Sequence, residues 1–190
     1  MDKPMSGLDF RLMSFIFKVR DLFRPRLEVL KEAGIESGFC VLDYGCGPGS
    51  YATPLAGLVG PSGMIHALDI NPLAIREVKK IAARKGIKNI AAIESDCNTG
   101  LSDECVDVVL LYDTLHDLSQ PNEVLRELHR VLKSGGTLSF SDHHMRQEDI
   151  ISAVTNTGMF RLSKKGRRLY SFLKVGEEQG TPRNESVSRA

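Results

Sequence analysis

Residues 41–49 read Val41-Leu42-Asp43-Tyr44-Gly45-Cys46-Gly47-Pro48-Gly49, an apolar strand running straight into a turn with three glycines. Glycines at alternate positions clear side chains from a place where a ligand must meet the backbone. The spacing is GxGxG, and Ser50 stands where a dinucleotide fingerprint would have its last glycine. Asp43 beside the turn would repel a pyrophosphate and attract an ammonium or sulfonium, so a cationic ligand is expected.

Working outward from this turn, strand-like and helix-like segments alternate. Apolar residues at helical spacing predict a helix over 8–23, Pro25 opens a second one that Gly34 stops, and Asn71-Pro72 opens a third, over 73–85, closed by Gly86. Further helices are expected over 121–133, ended by Gly135-Gly136, and over 148–157. Strands are expected at 39–44, 64–69, 90–94, 106–112 and 137–141, with a closing hairpin at 160–163 and 169–175. The segment 106–112 is the most apolar and suits the centre of a parallel sheet covered on both faces. The pattern is that of an α/β protein with a doubly wound, mostly parallel seven-stranded sheet. Residues 1–34 read as an N-terminal helical cap, 35–175 as the core domain and 176–190 as a disordered tail.

The chain of 190 residues has room for one domain, and 25 Lys+Arg against 24 Asp+Glu leave a net charge of +1, too little for a global field that would hold nucleic acid. A nucleic-acid partner is therefore not expected. Cys40, Cys46, Cys97 and Cys105 match neither a metal knuckle nor a disulfide framework, and no apolar run approaches membrane-spanning length. With no signal-peptide pattern after Met1, a soluble cytoplasmic protein is expected.

The loop Asp43-x-Gly45-x-Gly47-x-Gly49 resembles that of the class I S-adenosylmethionine-dependent methyltransferases, with their Rossmann-like sheet. The resemblance continues through Asp69, Ser95-Asp96-Cys97, Asp107 to Leu111, and Val131-Leu132-Lys133-Ser134-Gly135-Gly136. Within the superfamily the chain is most similar to the small-molecule branch that includes the ubiquinone/menaquinone and arsenite methyltransferases. The resemblance implies S-adenosylmethionine as cofactor and S-adenosylhomocysteine as product. It implies that Asp69 accepts the ribose hydroxyls, Ile70 packs on the adenine, Asp96 accepts from the adenine amino group while the Cys97 backbone amide faces the ring, and Asp43 holds the methionyl ammonium directly or through water, with Gly45, Cys46, Gly47, Gly49 and Tyr112 completing the cofactor site.

Methyl transfer from a sulfonium is an in-line displacement that needs alignment and exclusion of water, a base being optional. The acceptor, a small or lipid-like molecule, is expected above the fourth and fifth strands, where His116, Asp113 and His143 are the candidate catalytic residues and loop bracing is their bland competitor. Asp113 and Asp142 stand where catechol-type enzymes bind magnesium, but His143 replaces the expected Asn, and no metal is expected. Two other classes stay open: a catalytically silent cofactor-binding or interaction module, and an RNA or protein methyltransferase, against which the absence of an Asn/Asp-Pro-Pro-Tyr/Phe signature speaks. The helix 8–23 has more apolar surface than one packing face uses, and Phe10, Met13 and Phe17 could roof the cleft. A lid, a homodimer contact and a membrane-surface helix are its three readings.

Overall fold

The computed structural model describes residues 6–23 and 26–176, and for residues 17, 18 and 20–23 the backbone alone. The expected tail therefore lies almost wholly outside the described residues, as does the side chain of Phe17. Helix α1 spans Gly7–Phe23 and α2 Arg26–Glu32; then follow β1 (Cys40–Tyr44), α3 (Ala52–Val59), β2 (Met64–Asp69), α4 (Pro72–Lys85), β3 (Ile90–Glu94), β4 (Val106–Tyr112), α5 (Pro121–Val131), β5 (Leu132–Ser141), α6 (Gln147–Thr155), β6 (Phe160–Lys165) and β7 (Tyr170–Lys174). The seven strands form one sheet in the order β3-β2-β1-β4-β5-β7-β6, with β7 antiparallel to β5 and to β6 and the other pairs parallel.

Alternation along β4 explains its central place. Val109 and Leu111 pack into the larger core with Val124, Leu125 and Leu128 of α5, while Val108, Leu110 and Tyr112 face the opposite layer with Leu55 and Val59 of α3. Each such fully buried side chain stabilises the fold by roughly 1.5–3 kcal/mol. Local signals fix the element ends: the Asn71 side chain accepts from the Leu73 amide at 3.0 Å to cap α4, and Gly86 closes it in the left-handed conformation.

Several element ends differ from the sequence expectation by one or two residues, and the largest difference falls at the junction of α5 and β5. The helix expected to reach residue 133 stops at Val131, because Leu132 is already extended and pairs with Val106. The register then jumps to Val108 opposite Thr137, so Gly135-Gly136 form part of a bulge within β5 rather than a helix end. Lys133 inside that bulge donates to Asp107 at 2.7 Å, and Asp107 also accepts the Cys40 amide at 2.8 Å.

Candidate active site

A cavity of about 510 Å³ lies at the carboxyl ends of β1, β2 and β4, within the range of small-molecule sites. Carboxylates surround it, and Arg26 is the one cation among the described residues of its lining. Asp43 at the end of β1 is 4 % exposed, and its pKa rises to about 7, first through burial and then through the charge of Asp69. The two oxygens of Asp69 accept the Gly47 and Asn71 amides, each at 2.8 Å. Burial raises the Asp69 pKa while those amides oppose the rise. Each oxygen keeps a second acceptor position, as two neighbouring hydroxyls would require. Leu68 and Ile70 flank Asp69 with apolar surface, and Asp96, whose carbonyl accepts the Tyr44 hydroxyl at 2.7 Å, stands in the loop after β3. The set suits a ligand with a cationic centre, vicinal hydroxyls and a flat ring.

The glycine turn is held against β2, since the Gly45 and Cys46 amides both donate to the Leu68 carbonyl, at 2.8 and 2.9 Å. Gly45 has φ +75°, and a Cβ there would run into the Thr114 side chain of the loop after β4. Gly49 does not line the cavity; its Cα faces α4, where a Cβ would lie 3.1 Å from Val78. Cys46 lines the cavity, but burial and then the charges of Asp43 and Asp69 push the pKa of its thiol well above the ordinary value, so the thiol fills space as a neutral group.

Beside the cavity the loops after β4 and β5 exchange two Asp–His pairs crosswise. Asp113, at φ +49°, accepts both the backbone amide of His143 (2.9 Å) and its Nδ1 (2.7 Å). Conversely, His116 Nδ1 donates to Asp142 at 2.8 Å, and Asp142 also accepts the His144 amide at 3.0 Å. The Asp142 side chain is wholly buried, and the His116 and His144 rings stack with centroids 4.3 Å apart. Asp113 and Asp142 are thus both engaged by histidines.

Of the residues singled out in the sequence, Asp43, Gly45, Cys46, Gly47, Asp69, Ile70, Asp96, Tyr112 and Asp113 line the cavity. Four do not: Gly49, Cys97, which packs against the larger core, the exposed His143, and His116, whose neighbours Thr114, Asp117 and Leu118 do. Sequence reasoning missed Arg26 and Tyr51. Arg26 donates to the Tyr51 hydroxyl at 2.9 Å, Tyr51 meets Tyr112 edge-on, and the Tyr112 hydroxyl pairs with Ser139 at 2.8 Å. No local signal separated Arg26 from the other basic residues of the N-terminal segment. Phe10 and Met13 of α1 also line the cavity, on its N-terminal side.

Comparison with known proteins bears on this site. The model of a family described as "Methyltransferase domain" matches residues 35–176. The ubiquinone/menaquinone biosynthesis C-methyltransferase UbiE of Marinomonas sp. is 26% identical over 135 residues, which cover 70% of this chain and 54% of that protein. The aklanonic acid methyltransferase DauC of Streptomyces sp. is 33% identical over 106 residues, 55% of this chain and 48% of that one. The chain thus spans about half the length of these curated relatives. A solved structure described as a SAM dependent methyltransferase from Aquifex aeolicus superposes with a TM-score of 0.68 at 26% identity, over 83% of this chain and 96% of that one.

Proposed function

We propose, from the premise that the chain belongs to the methyltransferase-domain family and has S-adenosylmethionine for its cofactor, that it transfers a methyl group to a small or lipid-like acceptor by in-line displacement. The observation that carries this reading is Asp43, a buried carboxylate with a raised pKa at the edge of a cavity whose lining holds four further carboxylates, at Asp69, Asp96, Asp113 and Asp117, and, among the described residues, a single cation. Such a group is stabilised by a cationic ligand and destabilised by a phosphate.

The residues present fit the cofactor. Asp69 has an acceptor position free on each oxygen for the ribose hydroxyls, Ile70 and Asp96 suit the two characters of an adenine, Asp43 suits the ammonium, and Arg26 suits the carboxylate of the methionyl end. When bound, S-adenosylmethionine supplies an electrophilic methyl on a sulfonium. The protein's own work is then to align the acceptor and keep water out, and α1 contributes to the second through Phe10 and Met13, as a lid would.

Where the acceptor must lose a proton, His116 is the candidate base. A carboxylate only accepts, so the bond to Asp142 keeps a proton on His116 Nδ1 and leaves Nε2, which lies 3.4 Å from Asp117 Oδ1, as the nitrogen to take the acceptor's proton. His143, held the same way by Asp113, is the weaker candidate because its side chain is 72% exposed. The test is ligand-dependent melting: S-adenosylhomocysteine should raise the melting temperature by mass action, NAD should do little, and Asp69→Ala should abolish the rise. A rise with NAD and none with S-adenosylhomocysteine would overturn the reading; labelled cofactor with a panel of phenolic, quinol and lipid acceptors then identifies the acceptor.

A further inference from the structure

Two exposed features of the sheet's C-terminal edge take no part in the reaction above. Helix α1 has two faces. Phe10, 4% exposed, and Met13 turn into the cavity, whereas Leu8, Leu12, Phe15, Ile16 and Val19 form one outward stripe at spacings of four, three, one and three and are 81, 62, 66, 53 and 40% exposed. Five large apolar side chains in one stripe are the pattern of a helix that seats its outer face in an apolar layer.

The second feature is the basic turn of the β6–β7 hairpin. Residues 161–174 hold Arg161, Lys164, Lys165, Arg167, Arg168 and Lys174 and no acid. Phe140 pairs with Tyr170, which carries the turn past the end of β5 to the edge where Asp142 and the cavity lie. Lys164, Arg167 and Arg168 are exposed there, and the carboxylate of Glu32, packed on the turn, accepts the Arg168 and Leu169 amides at 3.0 and 3.1 Å. The N-terminal helices connect the two features: a Cβ on Gly7 would lie 3.6 Å from Leu73 at the start of α4, α1 passes the cavity, and α2 ends in Glu32 at the hairpin. Opposing charges at this edge include Asp9, bonded to Ser6, the exposed Asp117, Asp113 paired with His143, Glu148 and Asp149 in the first turn of α6, the latter paired with Arg146, and the carboxylates inside the cavity.

We propose that this edge docks on the surface of an anionic lipid bilayer, with the outer stripe of α1 seated among the headgroups and the hairpin turn on their phosphates. The charge decides the occupant. A second copy seated face to face would bring two basic turns into one interface, whereas anionic headgroups neutralise them. Docking leaves the cavity beside the bilayer, a direct path for a lipid-like acceptor; that consequence rests on the methyl-transfer reading, and the docking itself does not.

The full chain is sedimented with vesicles of phosphatidylcholine alone and with about 30 mol % phosphatidylserine added, at low and high salt. Binding should require the anionic lipid and weaken with salt. The pair Phe15→Asp and Ile16→Asp should lower it by about tenfold or more, and Lys164→Glu, Arg167→Glu and Arg168→Glu by about fivefold for each site. Both sets lie on exposed positions, so the melting shift with S-adenosylhomocysteine should persist in them and report an intact fold. Binding that persists while that shift is absent from the parent protein upholds docking and removes the methyl-transfer reading alone. The docking proposal is overturned if the parent protein sediments with neither vesicle, if the Phe15/Ile16 variant binds like the parent, or if the parent is a dimer without vesicle affinity that this variant makes monomeric.

Discussion

Replacing Asp43 by Asn probes the charge on which the site depends. The carboxyl has a pKa of about 7 in the folded chain against an ordinary 3.8, because burial and then Asp69 disfavour its charge. Between those values the folded state binds more protons than the unfolded one, so this group lowers stability as pH rises through the window. The cost grows by about 1.4 kcal/mol per pH unit and levels off above pH 7 at about 4 kcal/mol. Asp43→Asn should therefore melt close to the parent near pH 4 and be more stable by up to about 4 kcal/mol near pH 8, roughly 8–16 °C in melting temperature for a chain of this length. The same variant should bind S-adenosylhomocysteine more weakly, because its amide cannot attract the ammonium. In the parent, calorimetry in buffers of different ionisation enthalpy should detect proton release on binding near pH 6, since a cationic ligand favours the carboxylate. An equal gain at both pH values, or no gain near pH 8, would refute the assignment of that cost to a buried charge.

Gly45→Ala should destabilise the fold by about 2–4 kcal/mol in urea titrations, since the left-handed φ costs about 1 kcal/mol and the added methyl meets Thr114. Adding Thr114→Ala should recover the steric part and leave the backbone part; full recovery would show that the φ costs nothing. Asp142→Asn should lower turnover about 10²-fold and alter the pH profile of the rate, because an amide can hold the wrong His116 tautomer, while the melting shift with S-adenosylhomocysteine stays. An unchanged rate and profile would return His116 to bracing the loop. Glu127 has its pKa lowered to about 2, first by its hydrogen bond from Arg130, and it accepts the Thr99 amide and hydroxyl behind the loop that carries Asp96. Its contribution is present above about pH 4.5 and lost as pH falls towards 2, so Glu127→Gln should destabilise at pH 7 and progressively less in acid, as melting across that range would read.

The sequence by itself determined the elements and the ligand's character. Strands 64–69, 90–94 and 106–112 coincide with β2, β3 and β4, and Asn71-Pro72 and Gly86 bound α4, because apolar period, caps and glycine breaks are written in adjacent residues. Asp43 beside a glycine turn was likewise enough to favour a cation over a pyrophosphate. The strand order, the bulge that absorbs Gly135-Gly136 and the side of the chain that Gly49 faces came only with the tertiary structure, since each rests on contacts between distant segments. The same holds for the crossed pairs His116–Asp142 and Asp113–His143, whose partners are 26 and 30 positions apart, and for Arg26, brought to Tyr51 across 25. Burial set the pKa of Asp43 and chose which face of α1 meets the cavity, and burial is a property of the packed chain that no local stretch encodes.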